Sequence, residues 1–147
     1  MTEFTLRPAT SEDLPAIKRL IHLVEINPTG LDWHHFVIAV DKSGRMMGCG
    51  QLKPHNGGVI ELASIAVEPS DRHKGVASAV IENLLTQATR PLYLTCLSSM
   101  ISFYEKWGFY RLEINEMPGY FRRLVHLFSV MPGWDSADDP FTVMKMM

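Results

Sequence analysis

The sequence has no broad field of positive charge: 14 Lys and Arg stand against 16 Asp and Glu, for a formal net charge of −2. That balance excludes the general attraction that holds nucleic acid or an anionic membrane, so any anion site must be local. Cysteine is sparse as well, with 2 among 147 residues. Cys49 and Cys96 each stand in an apolar, strand-like run, with no C-x-x-C pairing and no histidine at metal-ligand spacing. This excludes a disulfide framework and a metal centre, and leaves both as reduced core thiols. No apolar run approaches membrane-spanning length, and the opening MTEFTLRPAT carries acid and alternates like a strand, so the expectation is a cytoplasmic protein. Internal repeats, low-complexity tracts and linkers are absent. Neither G-x-x-x-x-G-K-[ST] nor G-x-G-x-x-G occurs, which excludes two common ways of holding a nucleotide.

What is present is ordinary globular composition, 46% hydrophobic and 20% charged, enough for one domain over residues 1–147. FTLRPAT reads as a strand. SEDLPAIKRLIHLVEIN carries a helical stripe at Leu14, Ile17, Leu20, Ile21 and Val24, with Ser11 as the expected N-cap and Pro15 early in the helix. HFVIAV, MMGCGQLKPH and VIELASIAV read as strands. Asn56 to Gly58 marks a hairpin turn, and Gly48 and Gly50 signal a bulge or a close contact. VASAVIENLLTQA and SMISFYEKWG read as helices either side of the strand PLYLTCL. The strand FYRLEI follows, then an amphipathic helix with Phe121, Leu124, Val125 and Phe128, the loop MPGWDSADDP and a last strand FTVMKM. This order predicts a mixed, mostly antiparallel sheet flanked by helices.

The stretch EPSDRHKGVASAVIENLL concentrates the positive charge that the rest of the chain lacks. A strand that feeds a glycine turn and a helix start aims backbone N–H groups and the positive end of a helix dipole at one point, which favours a phosphate. Gly75 and Ala77 keep the backbone approachable, and Arg72 and Lys74 add charge-assisted donors. A diphosphate suits this loop better than a single carboxylate. A solvated basic turn capping an ordinary helix is the competing reading on charge alone.

The same residues carry a resemblance. IAVEPSDRHKGVASAVIENLL resembles the R-x-x-G-x-A acyl-CoA loop of the GNAT superfamily of N-acetyltransferases, with Arg72, Gly75 and Ala77 at the motif positions. FYEKWGF resembles the F-Y-x-x-x-G-F segment of that superfamily, and the element order follows it from about Thr5 to Lys145. The resemblance implies a three-layer α/β (α+β) fold, splayed at strands 4 and 5, with acetyl-CoA as cosubstrate. The diphosphate would lie on the amides of His73, Lys74, Gly75, Val76 and Ala77, beside Arg72 and Ser78. The pantetheine arm would run along Ile65, Ala66 and Val67, pairing with backbone groups of the first and last of these.

The resemblance also implies a mechanism. Attack on a thioester needs a neutral amine, whereas reference pKa values of about 8 for an α-amine and about 10 for lysine leave most of it protonated near neutral pH. Glu61 stands where many members place a catalytic or substrate-contacting acid and is the expected base, acting through water; the alternatives are that it faces solvent or pairs with Lys or Arg. Tyr104 stands where the family often carries the acid for the departing thiolate, with packing against the cofactor as its alternative. The Val67 amide would donate to the thioester carbonyl. One departure is Leu97 in the place of a customary Asn, whose cofactor contact would pass to Ser98 or Ser99.

In such folds the acceptor pocket is built by the loop INPTGLDWHH, with Trp33, His34 and His35, and by the segment from Asn115 to Pro140. The latter holds Tyr120, Arg122 and Arg123, and reads either as a lid or as a helix covering the core. Its guanidinium groups suit a carboxylate, a solvated helix face being the alternative. A looser similarity to the acetyltransferase domain of N-acetylglutamate synthase, in IELASIAVEP, YLTCLSSMISFYEKWGF and EMPGYFRR, points to an amino acid. The expected activity is acetyl-CoA-dependent acetylation of a primary amine on a small molecule or amino acid, by direct transfer in a ternary complex. An acetyl-cysteine at Cys96 is a weaker variant, and a protein N-terminus or lysine is an alternative acceptor. A non-catalytic acyl-CoA sensor or partner-binding module is the alternative class. His22, His55 and His126 show no ligand constellation, and the Met-rich FTVMKMM offers a surface for a homodimer.

Overall fold

The computed structural model describes residues 3–130 and 141–147. Its strands are β1 (Thr5–Pro8), β2 (Phe36–Val40), β3 (Met46–Pro54), β4 (Ile60–Val67), β5 (Leu92–Leu97), β6 (Tyr110–Arg111) and β7 (Phe141–Met146). They form a seven-stranded mixed sheet in the order β1-β2-β3-β4-β5-β7-β6. Helices α1 (Leu14–Leu23), α2 (Val76–Gln87), α3 (Ile101–Glu105) and α4 (Gly119–Val130) flank it. Pairing is antiparallel between β1 and β2, β2 and β3, β5 and β7, and β6 and β7, and parallel between β4 and β5. That parallel ladder pairs Ile60 with Leu92 and Glu61 with Tyr93. No helix among the described residues is long and apolar enough to cross a membrane.

Two compact units divide the chain, one made of Met1–Lys53 with Leu62–Ala88, the other of Pro54–Glu61 with Thr89–Met147. In the first, β2 is buried at every position, which is why it reads as an unbroken apolar run and not as an alternating one. Ile17, Leu20 and Ile21 form the buried stripe of α1; each such side chain contributes about 1.5–3 kcal/mol on burial. The helix start differs from the expected Ser11 cap. Thr10 caps a 3-10 turn at Ser11–Asp13, and Asp13 is the N-cap of α1. The Asp13 carboxylate accepts from Arg7 at 2.8 and 3.0 Å and from the Thr10 amide at 2.7 Å, so the acid fixed by Arg7 takes the capping position.

The glycines of β3 serve close contact. A Cβ on Gly48 would lie 2.8 Å from Val76 Cγ1 and 2.9 Å from the Ala66 carbonyl, and one on Gly50 would lie 2.5 Å from Ile65 Cδ1 and 2.8 Å from Val80 Cγ1. Side chains there would push α2 off the strand. The expected bulge is present too, as a register shift at Ala39 and Val40 opposite Gly48 and Met46.

In the second unit β5 and β7 pair along their whole length, from Leu92 opposite Met146 to Leu97 opposite Phe141. Tyr93, Leu112, Met117, Phe121 and Val143 form its core. Phe121 is fully buried, so α4 covers the core with its apolar face. The loop MPGWDSADDP lies outside the described residues. The strand expected over FYRLEI shortens to Tyr110–Arg111, because Leu112 turns into the core and Ile114–Glu116 winds into a 3-10 turn.

Candidate active site

In the first unit β4 runs into a turn at Pro69–Asp71, after which His73 (φ 65°) and Gly75 (φ 82°) both adopt left-handed backbone. Glycine takes this conformation freely, whereas a histidine holds it at a cost of about 1–2 kcal/mol. The loop keeps its shape because it is tied from below. Asp71 is 2% exposed and accepts from Arg45 Nη1 at 2.9 Å, Arg45 Nη2 at 3.2 Å and Lys74 Nζ at 3.2 Å. The Arg45 guanidinium, seconded by Lys74, holds the Asp71 carboxyl below the usual carboxylate range. Lys74 therefore shares its charge with a buried acid. Arg72 is exposed and forms no ion pair with any described residue.

The first α-helical bond of α2 runs from the Ala79 amide to the Gly75 carbonyl at 3.1 Å, so the amides of Val76, Ala77 and Ser78 precede the ladder. No side chain caps this helix. A Cβ on Gly75 would meet no atom within 4 Å, which leaves the space before the loop open. Amides outside the helical ladder thus stand at the N-terminus of α2, in the loop that also carries the exposed Arg72.

Upstream, Ile65 and Val67 are half-buried and Ala66 is buried. Ser64 breaks the strand with a φ of 59°, a conformation costing about 1–3 kcal/mol outside glycine. Gln51 Nε2 donates to Ser64 Oγ at 2.8 Å and the Cys49 thiol contacts the Ser64 carbonyl at 3.6 Å, which pins the kink. Burial pushes the Cys49 thiol up to about 12, leaving it inert.

In the second unit Glu61 is 6% exposed, and its Oε1 lies 2.7 Å from His55 Nε2. Its partner is a histidine, not the Lys or Arg the sequence suggested. His55 follows β3, where its amide donates to the Val59 carbonyl at 2.8 Å across the Asn56–Gly58 turn. The Tyr120 ring stacks on the imidazole with centroids 3.8 Å apart and planes inclined by 25°. Burial, with the charge of Glu61 adding to it, raises the Tyr120 hydroxyl above its ordinary value. His55, Asn56, Val59, Pro118, Tyr120 and Arg123 line a cavity of about 610 Å³, a size that suits a small ligand. Arg122 is exposed and is not part of that lining. His55 is the residue that sequence reasoning missed; its one legible signal was its place just before the Asn56–Gly58 turn, with Glu61 on the strand that follows.

Trp33 and His34 belong to the first unit. Trp33 packs against its core, while His34 stacks on Trp33 at 3.7 Å and contacts Asp32 at 2.6 Å. In the second unit Tyr104 is 9% exposed and packs against Phe103, Trp107 and Phe109. Burial, with Cys96 adding to it, pushes its hydroxyl up to about 12, and that hydroxyl bonds to no described residue. Leu97 is 47% exposed, and the Ser98 hydroxyl lies 2.9 Å from that of Thr142.

A seven-stranded mixed sheet with a parallel β4–β5 pair, flanked by helices, is the fold of acyl-CoA-dependent transferases. The chain belongs to the acetyltransferase (GNAT) family, whose model matches residues 5–109, and enzymes of this family take acetyl-CoA as cosubstrate. It is 31% identical over 121 residues to an amino-acid acetyltransferase of Mycobacterium tuberculosis, covering 74% of this chain and 69% of that protein. Its fold is that of Rv2747 from Mycobacterium tuberculosis, solved in complex with CoA, with a TM-score of 0.76 at 22% identity over 97% of this chain and 98% of that one. It is also that of the Neisseria gonorrhoeae N-acetylglutamate synthase solved with coenzyme A and N-acetyl-glutamate, with a TM-score of 0.74 at 19% identity. The chain is matched over 100% of its length there but spans only 36% of that synthase.

Proposed function

We propose that this protein moves the acetyl group of acetyl-CoA directly to the primary amine of an amino acid or similar small molecule, with both substrates bound together. The observation that carries the acceptor side is His55, which lines the cavity together with Tyr120 and Arg123 and is paired behind it with the buried Glu61. A proton must leave the ammonium before attack, and this pair supplies its acceptor. Arg123 is a guanidinium of the kind that suits a carboxylate, and the amino-acid acetyltransferase among the relatives favours such an acceptor. On the cofactor side, the amides of His73 to Ala77, with Arg72 and Ser78, would hold the diphosphate. Ile65 and Val67 would pair with the pantetheine arm, and the Val67 amide would meet the thioester carbonyl. Calorimetric binding of acetyl-CoA, followed by thiol release against the twenty standard L-amino acids, tests this reading. Binding without turnover on any amine would move the protein to the sensor class.

Tyr104 would serve the departing thiolate. With its hydroxyl near 12 and a thiol near about 8.5, complete proton transfer is uphill by about 5 kcal/mol. Its contribution is therefore a hydrogen bond to developing negative charge, with the proton coming from the amine itself. Tyr104→Phe should lower kcat about 10- to 100-fold while leaving acetyl-CoA affinity unchanged in calorimetry. No alkaline limb below about 12 should belong to Tyr104, because its hydroxyl stays protonated there. Direct transfer makes a further prediction: Cys96→Ala retains turnover, and wild-type protein quenched after mixing with labelled acetyl-CoA carries no label on the chain. Loss of turnover in a folded Cys96→Ala variant would instead require an acetyl-cysteine intermediate.

A further inference from the structure

Within the acetyl-transfer reading above, on which this rests, we propose that His55 Nδ1 accepts the proton of the acceptor amine and that Glu61 is the positioning residue that holds the ring for it. An ionised carboxylate can only accept a hydrogen bond. The 2.7 Å contact between His55 Nε2 and Glu61 Oε1 therefore places the ring proton on Nε2. A neutral imidazole has one ring proton, so Nδ1 keeps its lone pair. Among the described residues no group bonds to Nδ1, and His55 lines the cavity.

The ring is also held in orientation. Tyr120 covers one face, the Phe121 ring packs edge-to-face with centroids 5.9 Å apart, and the His55 amide is tied to the Val59 carbonyl. The His55 and Glu61 side chains are only 10% and 8% exposed, so little of either is left to rotate in solvent. The charged and titratable groups around the ring are Glu61 from β4, Tyr120 and Arg123 from α4, and Tyr93, the β5 register partner of Glu61, with Lys145 Nζ 5.6 Å from its centroid. Only Glu61 touches the ring through a hydrogen bond. A proton placed on Glu61 itself would forfeit that charge-assisted bond. The sequence-based assignment of Glu61 as base is thereby refined by one atom-to-atom step.

The chemistry balances as follows. R–NH3+ passes a proton to Nδ1, giving R–NH2 and an imidazolium paired with Glu61. The amine lone pair forms the C–N bond at the thioester carbonyl, the C–S bond breaks, and CoA leaves as a thiolate. The second amine proton neutralises that thiolate, giving the amide and CoASH, and His55 returns its proton to water.

Two measurements decide this. Long-range 1H–15N correlation spectra of histidine-labelled protein, with His55→Gln for assignment, should show the Nε2–H tautomer when the ring is neutral; an Nδ1–H tautomer would overturn the proposal. The second is the pH dependence of kcat/KM with acetyl-CoA and the standard L-amino acid that turns over fastest. His55→Gln, whose amide can still donate to Glu61, should lose the acid limb and about 100-fold or more in rate. Glu61→Gln should keep that limb while lowering the rate, since the ring loses the carboxylate that orients it. An acid limb that survives in His55→Gln and vanishes in Glu61→Gln would make Glu61 the base. Acetyl-CoA calorimetry on both variants should match wild type. If no amino acid turns over, the acceptor reading fails while the tautomer still decides the role of His55.

Discussion

Gly75→Glu should abolish measurable acetyl-CoA binding, while Gly75→Ala should retain it within about tenfold. The two substitutions share one cost, because position 75 sits at a φ of 82°, where any L side chain loses about 1–2 kcal/mol. Neither clashes with the protein, since a Cβ there meets nothing within 4 Å. They differ in what they send into the open space before α2. A carboxylate at about 4 Å from one charge of a diphosphate, at an effective dielectric near 20, opposes binding by about 4 kcal/mol, or roughly a thousandfold. It would also satisfy the Val76 and Ala77 amides itself, as an acidic group at a helix start does. Gly75→Glu should therefore melt close to Gly75→Ala or above it while failing to bind. Calorimetry with thermal melts of both variants checks this, and binding of the Glu variant within threefold of wild type would move the diphosphate away from the loop.

The loop was legible because its chemistry lies in backbone and glycine, which a short local motif encodes: Arg72, Gly75 and Ala77 stand in one turn. The helical stripe of α1 and the buried run of β2 were legible for a similar reason, since periodicity is local. What escaped the sequence was made of pairings across distance. Asp71 reads as one acid in a basic turn, yet its partner Arg45 comes from the turn between β2 and β3. His55 reads as the last residue of a strand, with no ligand constellation, until the turn brings it onto Glu61 and α4 brings Tyr120 over its face. Arg122 and Arg123 are indistinguishable in sequence, and only the phase of α4 puts the second, with Tyr120, on the cavity wall. The kink at Ser64 has no glycine to announce it; its causes are Gln51 and Cys49 on the preceding strand.

Asp71→Asn should weaken acetyl-CoA binding by about tenfold or more, although the substitution makes the loop more positive. Two effects oppose each other. Removing one negative charge from the loop would strengthen its attraction for an anionic cofactor, by about 1 kcal/mol for a separation of about 8 Å at a dielectric near 40. Against this, Asp71 accepts three bonds from Arg45 and Lys74, and these hold the turn that carries left-handed His73 and Gly75. An amide cannot accept them all with the same strength, and hydrogen bonds from charged groups contribute about 1.5–3 kcal/mol each. Once the turn slackens, the amides of Val76 to Ser78 must be ordered at the expense of binding, so geometry outweighs charge. Stability follows the same carboxylate. Its folded pKa lies below the usual range, so its contribution is complete above about pH 4 and is lost as pH falls through the folded value. The melting temperatures of wild type and Asp71→Asn should accordingly differ most near neutrality and converge in acid. Tighter binding by Asp71→Asn at low salt would mean that the loop attracts CoA by net charge alone, and that the tie to Arg45 serves only the fold.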